Sequence, residues 1–77
     1  MKSIIEICRE VEPNIPDDIT LNLIDGGYVD SFGVFMIMAS LEIEYDIKIP
    51  DNDLNYDNFK SIESLTNLVE KIKREEQ

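Results

Sequence analysis

Seventy-seven residues, 43% of them apolar, allow one domain with one small core and place the chain among globular rather than disordered proteins. A formal charge of −10, from 17 acids against 7 bases, sets its field against nucleic-acid phosphates and anionic lipid and towards proteins with basic patches. With no histidine and one cysteine, Ser-His-Asp and Cys-His catalysis, histidine metal sites, CxxC motifs and internal disulfides are all excluded.

Ile4, Ile5, Ile7, Cys8 and Val11 recur at helical spacing behind Ser3, a suitable N-cap. They predict a short first helix of about three turns, ended by Glu12-Pro13 because proline disfavours helical geometry in the residue before it. Cys8 falls on the apolar stripe and reads as a small buried hydrophobe rather than a reactive thiol. Glu6 and Arg9 interrupt any signal-peptide core, and no apolar run approaches the roughly 20 residues of a membrane span. A lone cysteine suits a reducing compartment, so a cytoplasmic protein without membrane insertion is expected. Residues 14–30 read as a long loop punctuated by Pro16, Gly26 and Gly27, with Ile15, Ile19, Leu21, Leu23 and Ile24 spaced to pin it onto a core. A loop of that length in a small domain points to function.

A second helix is expected over 31–46. Ser31 opens it, where the free N–H groups of a helix start favour negative charge; the serine can cap the helix or carry a phosphate-containing group. Wound at about 100° per residue, Val34, Ile37, Met38, Leu41 and Tyr45 gather on a core face. Phe32, Met36, Ala39 and Ile43 gather nearly opposite. Gly33, Ser40 and Glu44 separate the two faces along one edge, and Glu42 and Asp46, with Phe35 between their directions, line the other. Two apolar faces on one helix imply burial on both sides or a second face kept for a partner, and a chain this small favours the partner. No cation lies between Arg9 and Lys48, an interval holding Glu10, Glu12, Asp17, Asp18, Asp25, Asp30, Glu42, Glu44 and Asp46. Without a histidine beside it, Ser31 reads as a residue modified by another enzyme rather than a nucleophile with its own base.

Ile47-Lys48-Ile49-Pro50 is expected to close that helix, because Pro50 does not continue a regular one. Residues 51–60 form an acidic connector with a short helix around 56–59. Ser61 caps a final helix carrying Ile62, Leu65, Leu68, Val69 and Ile72, and Lys71, Lys73 and Arg74 complement the dipole in its last turns. Asp51, Asp53, Asn55 and Asp57 alternate like calcium-loop ligands, but Tyr56 stands where such a loop needs glycine and Ile62 where it needs glutamate, so no metal site is expected. The chain reads as one all-α domain over residues 1–77, with three main helices and a short connecting one, and nothing in it requires more than a monomer.

Asp30-Ser31-Phe32 at the start of a helix, then Leu41-Glu42-Ile43-Glu44-Tyr45 and Ile49-Pro50, resembles the acyl carrier proteins, whose pattern is Asp-Ser-Leu, a Leu-Glu-x-x-Phe stretch, an x-Ile-Pro step and a final amphipathic helix. Leu23-Ile24-Asp25-Gly26-Gly27-Tyr28-Val29 is similar to the family's approach to the serine, so the resemblance spans essentially the whole chain. It implies a small carrier-type helical bundle, not an enzyme. It also implies that Ser31 receives 4′-phosphopantetheine from coenzyme A through a phosphopantetheinyl transferase and a divalent metal, with Asp30 helping to orient the transferase. The arm's thiol would carry an acyl or aminoacyl group as a thioester, and partners would include an acyl or aminoacyl ligase and downstream acyltransferases or synthases.

In carriers of fatty-acid synthesis the outer face of the second helix bears acids; here Gly33, Met36 and Ile43 take three such positions. Docking through Phe32, Met36, Ala39 and Ile43 should therefore rest on apolar burial more than on salt-sensitive attraction. Asp-Ser-x-Gly at Asp30 to Gly33, and a longer spacing from Pro50 to Phe59, resemble the D-alanyl carrier proteins, a feature shared with stand-alone carriers of specialised pathways. Three functions stay open at this point: an acyl carrier, a D-alanyl-type aminoacyl carrier loaded by an adenylating ligase, and an unmodified acidic adaptor that binds a partner through the second helix.

Overall fold

Ser3 opens α1 (Ile4–Val11) with a capping box: its hydroxyl accepts the Glu6 N–H at 3.3 Å, and the Glu6 carboxylate accepts the Ser3 N–H at 3.2 Å. Glu12 is already extended and donates its N–H to the Cys8 carbonyl, so α1 has 8 residues and little more than two turns, shorter than its apolar spacing suggests. In the computed structural model, which describes residues 1–76, the later elements are α2 (Ser31–Tyr45), a 3-10 turn (Asp51–Asp53), α3 (Tyr56–Phe59) and α4 (Ile62–Glu75). The described residues hold no strand, and the chain is a small all-α domain.

The end of α2 differs from expectation. Asp46 takes a left-handed conformation (φ 51°), and the N–H groups of Asp46 and Ile47 both turn back to the Glu42 carbonyl. Pro50 thus follows a stop already made. Glu42 is drawn inward as well, its carboxylate accepting the Ile49 N–H at 2.8 Å. Lys73 reaches across from α4 to the Tyr45 carbonyl at 3.2 Å, so its cation meets the negative end of α2 rather than serving its own helix alone. Ser61 caps α4 as expected, and Asn55 caps the single turn of α3.

α1 packs on α2 and α4, and α3 packs on α4. Ile7 and Cys8, Ile37 and Leu41, and Leu65, Leu68 and Ile72 bring the three main helices into one core, closed by Ile15, Leu23 and Val29 from the long loop. Ile19 is a correction: its side chain is 49% exposed and pins nothing. Its backbone does the work instead, because the Ile19 carbonyl accepts the N–H of Glu63 in the first turn of α4 at 2.9 Å. That N–H lacks an intrahelical partner, so the loop satisfies a helix start that periodicity cannot reveal. Arg9 holds the loop from the other side, donating to the Ile15 carbonyl at 2.8 Å and to Asp17 at 2.6 Å.

Cys8 is fully buried, and burial pushes its thiol up to about 12. A maleimide should therefore leave it unlabelled in the native protein at neutral pH and label it promptly in denaturant; fast native labelling, followed by mass, would place the thiol at the surface. No helix among the described residues is long and apolar enough to cross a membrane.

Candidate functional site

Asp30, not Ser31, caps α2. Asp30 is extended, its Oδ1 accepts the Gly33 N–H at 2.8 Å, and its carbonyl accepts the Val34 N–H at 2.9 Å. A cap needs a non-helical backbone so that its side chain can fold over the first turn. Ser31 is already the first helical residue, so the capping role open to it in the sequence falls to its neighbour. Asp30→Ala should accordingly cost about 1 kcal/mol and Asp30→Asn far less. Urea denaturation reads both, and a larger loss in Ser31→Ala than in Asp30→Ala would return the cap to the serine.

This leaves the Ser31 hydroxyl exposed and without a hydrogen bond among the described residues. The other serines are occupied or sheltered: Ser3 and Ser61 cap helices, Ser64 Oγ donates to the Asn58 and Ser61 carbonyls, and Ser40 is half-buried in the middle of α2. The Asp30 carboxylate takes only the Gly33 N–H, so those of Ser31 and Phe32 also have no acceptor among the described residues.

Two hollows flank Ser31. On one side a surface groove of about 400 Å³ runs between α2, the loop and α3, lined by Ser31, Asp30, Val34 and Phe35, by Ile24, and by Leu54, Asn55, Tyr56 and Phe59. That volume lies towards the small end of ligand sites. On the other side Phe32 and Met36 border a hollow of about 260 Å³ over Val11, Val29 and Gly33. Gly33 is buried there, which corrects its expected place on the outer face with Met36 and Ile43. A Cβ on Gly33 would stand 2.9 Å from Val29 Cγ1 and 3.3 Å from Val11 Cγ1, so glycine lets α2 lie close to the loop and α1.

The outer face of α2 is open. Phe32 is 72% exposed, Met36 42% and Ile43 83%, with Ala39 exposed between them. Phe35 is exposed too and joins this face to the groove. Helical winding places it only about 60° from Phe32, so its membership was legible from the sequence had the stripe been drawn wider. The two acids of α2 are engaged elsewhere, Glu42 with Ile49 and Glu44 with the Lys2 N–H at 3.1 Å.

The groove's far wall was not foreseen. Tyr56 O–H donates to Asp25 Oδ2 at 2.6 Å and accepts from Asn22 Nδ2 at 2.7 Å, joining α3 to the loop over more than thirty residues of chain. The hydrogen bond to Asp25 raises the Tyr56 phenol above its ordinary range, keeping it a donor. Among the described residues no three acid or cysteine side chains gather to hold a metal, and Asp53 of the acidic connector pairs with Lys71 at 3.0 Å. Comparison with family models, with curated proteins and with solved structures finds no match to the chain.

Proposed function

We propose that the chain is a carrier protein of the acyl-carrier type, which holds an acyl group as a thioester on a 4′-phosphopantetheine arm joined to Ser31 and performs no reaction of its own. One conjunction carries this reading: the exposed, unbonded hydroxyl of Ser31 stands on the first turn of a capped helix at the edge of an apolar-walled groove. The two N–H groups at Ser31 and Phe32 that the Asp30 cap leaves without an acceptor suit a phosphodiester on Ser31 Oγ.

In the proposed loading, Ser31 Oγ bonds to the pantetheine-side phosphorus of coenzyme A as the bond from that phosphorus to adenosine 3′,5′-bisphosphate breaks, and the hydroxyl proton passes to a base of the transferase. Asp30 holds the start of α2 in place for this encounter. The outer face of α2 from Phe32 to Ile43 is the docking surface for transferase and loading enzyme, in an overall acidic field that favours basic partners.

The groove favours an acyl over an aminoacyl cargo. Ile24, Val34 and Leu54 reward apolar burial at roughly 25 cal/mol per Å², whereas an ammonium away from Asp30 at the groove's edge would lose hydration against them. Incubation with coenzyme A, magnesium and a promiscuous phosphopantetheinyl transferase tests the reading by intact mass. A gain of one phosphopantetheinyl group, mapped to Ser31, is expected. No gain, with specific binding of a protein partner through α2 retained, would leave the adaptor. Exclusive acceptance of an aminoacyl group by the modified protein would replace the acyl cargo.

A further inference from the structure

The groove beside Ser31 has three walls that are held unequally. The α2 wall belongs to a 15-residue helix anchored in the core by Ile37 and Leu41. The loop wall at Ile24 is tied to the start of α2, because the Tyr28 and Val29 N–H groups both donate to the Leu23 carbonyl, at 2.9 and 3.0 Å, with Gly27 at φ 80° turning the chain between them. The third wall, Leu54 to Tyr56 with Phe59, runs from the link after the 3-10 turn into the single turn of α3. No hydrogen bond or ion pair among the described residues joins α2 to residues 54–59.

α3 packs on α4, which holds the Asn58 carbonyl through the Ser64 hydroxyl at 3.0 Å and Asp53 through Lys71 at 3.0 Å. α3 also has two ties to the loop, and residues 54–57, between the points that α4 holds, depend on them. At its C-terminal end the Leu23 N–H donates to the Lys60 carbonyl at 2.6 Å, beside the buried Phe59. At its N-terminal end the tie is made by side chains: Tyr56 to Asp25 at 2.6 Å, and Asn22 to Tyr56 at 2.7 Å. Asn22 Oδ1 also accepts the Ile24 and Asp25 N–H groups at 3.1 and 2.7 Å, so one local turn presents both partners to the phenol.

We propose that Tyr56, Asp25 and Asn22 form a latch that sets the width of the groove: closed, it holds the N-terminal end of α3 to the loop; open, residues 54–57 swing out between Asp53 and Asn58, which α4 holds, the Asn55 cap on Asn58 is lost, and the groove admits a bulkier apolar group. The tyrosine is exposed, so its bond to the carboxylate biases opening by about tenfold rather than forbidding it. An apolar group entering the groove gains burial against the half-exposed Ile24, Val34 and Leu54, enough to compete with a bias of that size. The consequence for cargo rests on the proposed carrier function; the latch itself does not.

The test uses the unmodified full chain. Tyr56→Phe keeps the ring and removes only the oxygen. It should speed hydrogen exchange at the Asn58 amide, which Asn55 Oδ1 accepts at 3.0 Å, by about tenfold, while Leu68 and Val69 in α4 exchange as before. Asp25→Ala should do the same to a smaller extent, because it leaves the Asn22–Tyr56 bond, and the double variant should exchange no faster than Tyr56→Phe alone, which already breaks both bonds. Both variants should bind the neutral apolar dye Nile red more tightly than the parent. Unchanged Asn58 exchange, equal acceleration in α4, additive effects in the double variant or unaltered dye binding would each overturn the latch. None of these results bears on whether Ser31 accepts an arm, which the mass measurement decides separately.

Discussion

Ser31→Ala should abolish the mass gain from coenzyme A and transferase completely, with the stability of the fold changed by no more than about 0.5 kcal/mol. The separation of the two effects follows from the division of labour at the start of α2. Asp30 makes the cap, so removal of the serine hydroxyl breaks no hydrogen bond, and alanine suits a first-turn position. Transfer of the group to another hydroxyl is not expected. Ser3 Oγ donates to Glu6 at 2.9 Å, Thr20 Oγ1 to Asp18 at 2.8 Å, and Thr66 Oγ1 to the Ile62 carbonyl at 2.8 Å. Ser61 is 5% exposed. A Ser31→Ala protein that still gains the full mass would remove Ser31 from the site, and one that unfolds in mild urea would show that the serine is structural.

Paired substitutions on opposite sides of α2 should give opposite outcomes. Leu41 is fully buried, and Leu41→Ala is expected to cost about 2 to 5 kcal/mol. For a domain of this size that is a large share of the total, so the urea midpoint should fall steeply. Met36 lies on the open side, and Met36→Glu should leave the midpoint nearly in place while lowering kcat/KM for the transferase, and for the loading enzyme, by about ten- to a hundredfold. That range corresponds to the burial of one methionine side chain withheld from the interface. The parent docking face carries no charged side chain of its own, so whatever salt dependence the parent shows should reflect the overall acidic field rather than contacts on that face. Unfolding by Met36→Glu would make that side of α2 a second core face and end the docking proposal.

The helices were legible because their signals are local. Ser3 and Ser61 precede apolar residues at helical spacing and cap as expected, the short helix falls at Tyr56–Phe59, and the two faces of α2 divide as its winding implies. Local signals misled where a neighbour competed for the same role. Ser31 and Asp30 are both good caps, and only the extended backbone at Asp30 decides between them. Pro50 is a strong breaker, but Asp46 had already turned left-handed with the Glu42 carbonyl closing the turn. Ile19 has an apolar side chain that suggests anchoring, while its carbonyl supplies the contact.

From order and composition alone came one all-α domain, a serine at a helix start, and an apolar helix with one face to spare, because periodicity, capping residues and charge are written within a few positions of one another. Only the folded chain decided that the serine hydroxyl is exposed with no hydrogen bond among the described residues, that Gly33 is buried against Val29 and Val11, and that Phe35, Leu54, Tyr56 and Phe59 wall a groove beside the serine. Those facts depend on residues far apart in the chain. Asn22 and Asp25 meet Tyr56, and Leu23 meets Lys60, only after the core of α1, α2 and α4 has drawn the loop and α3 to the same end of the bundle.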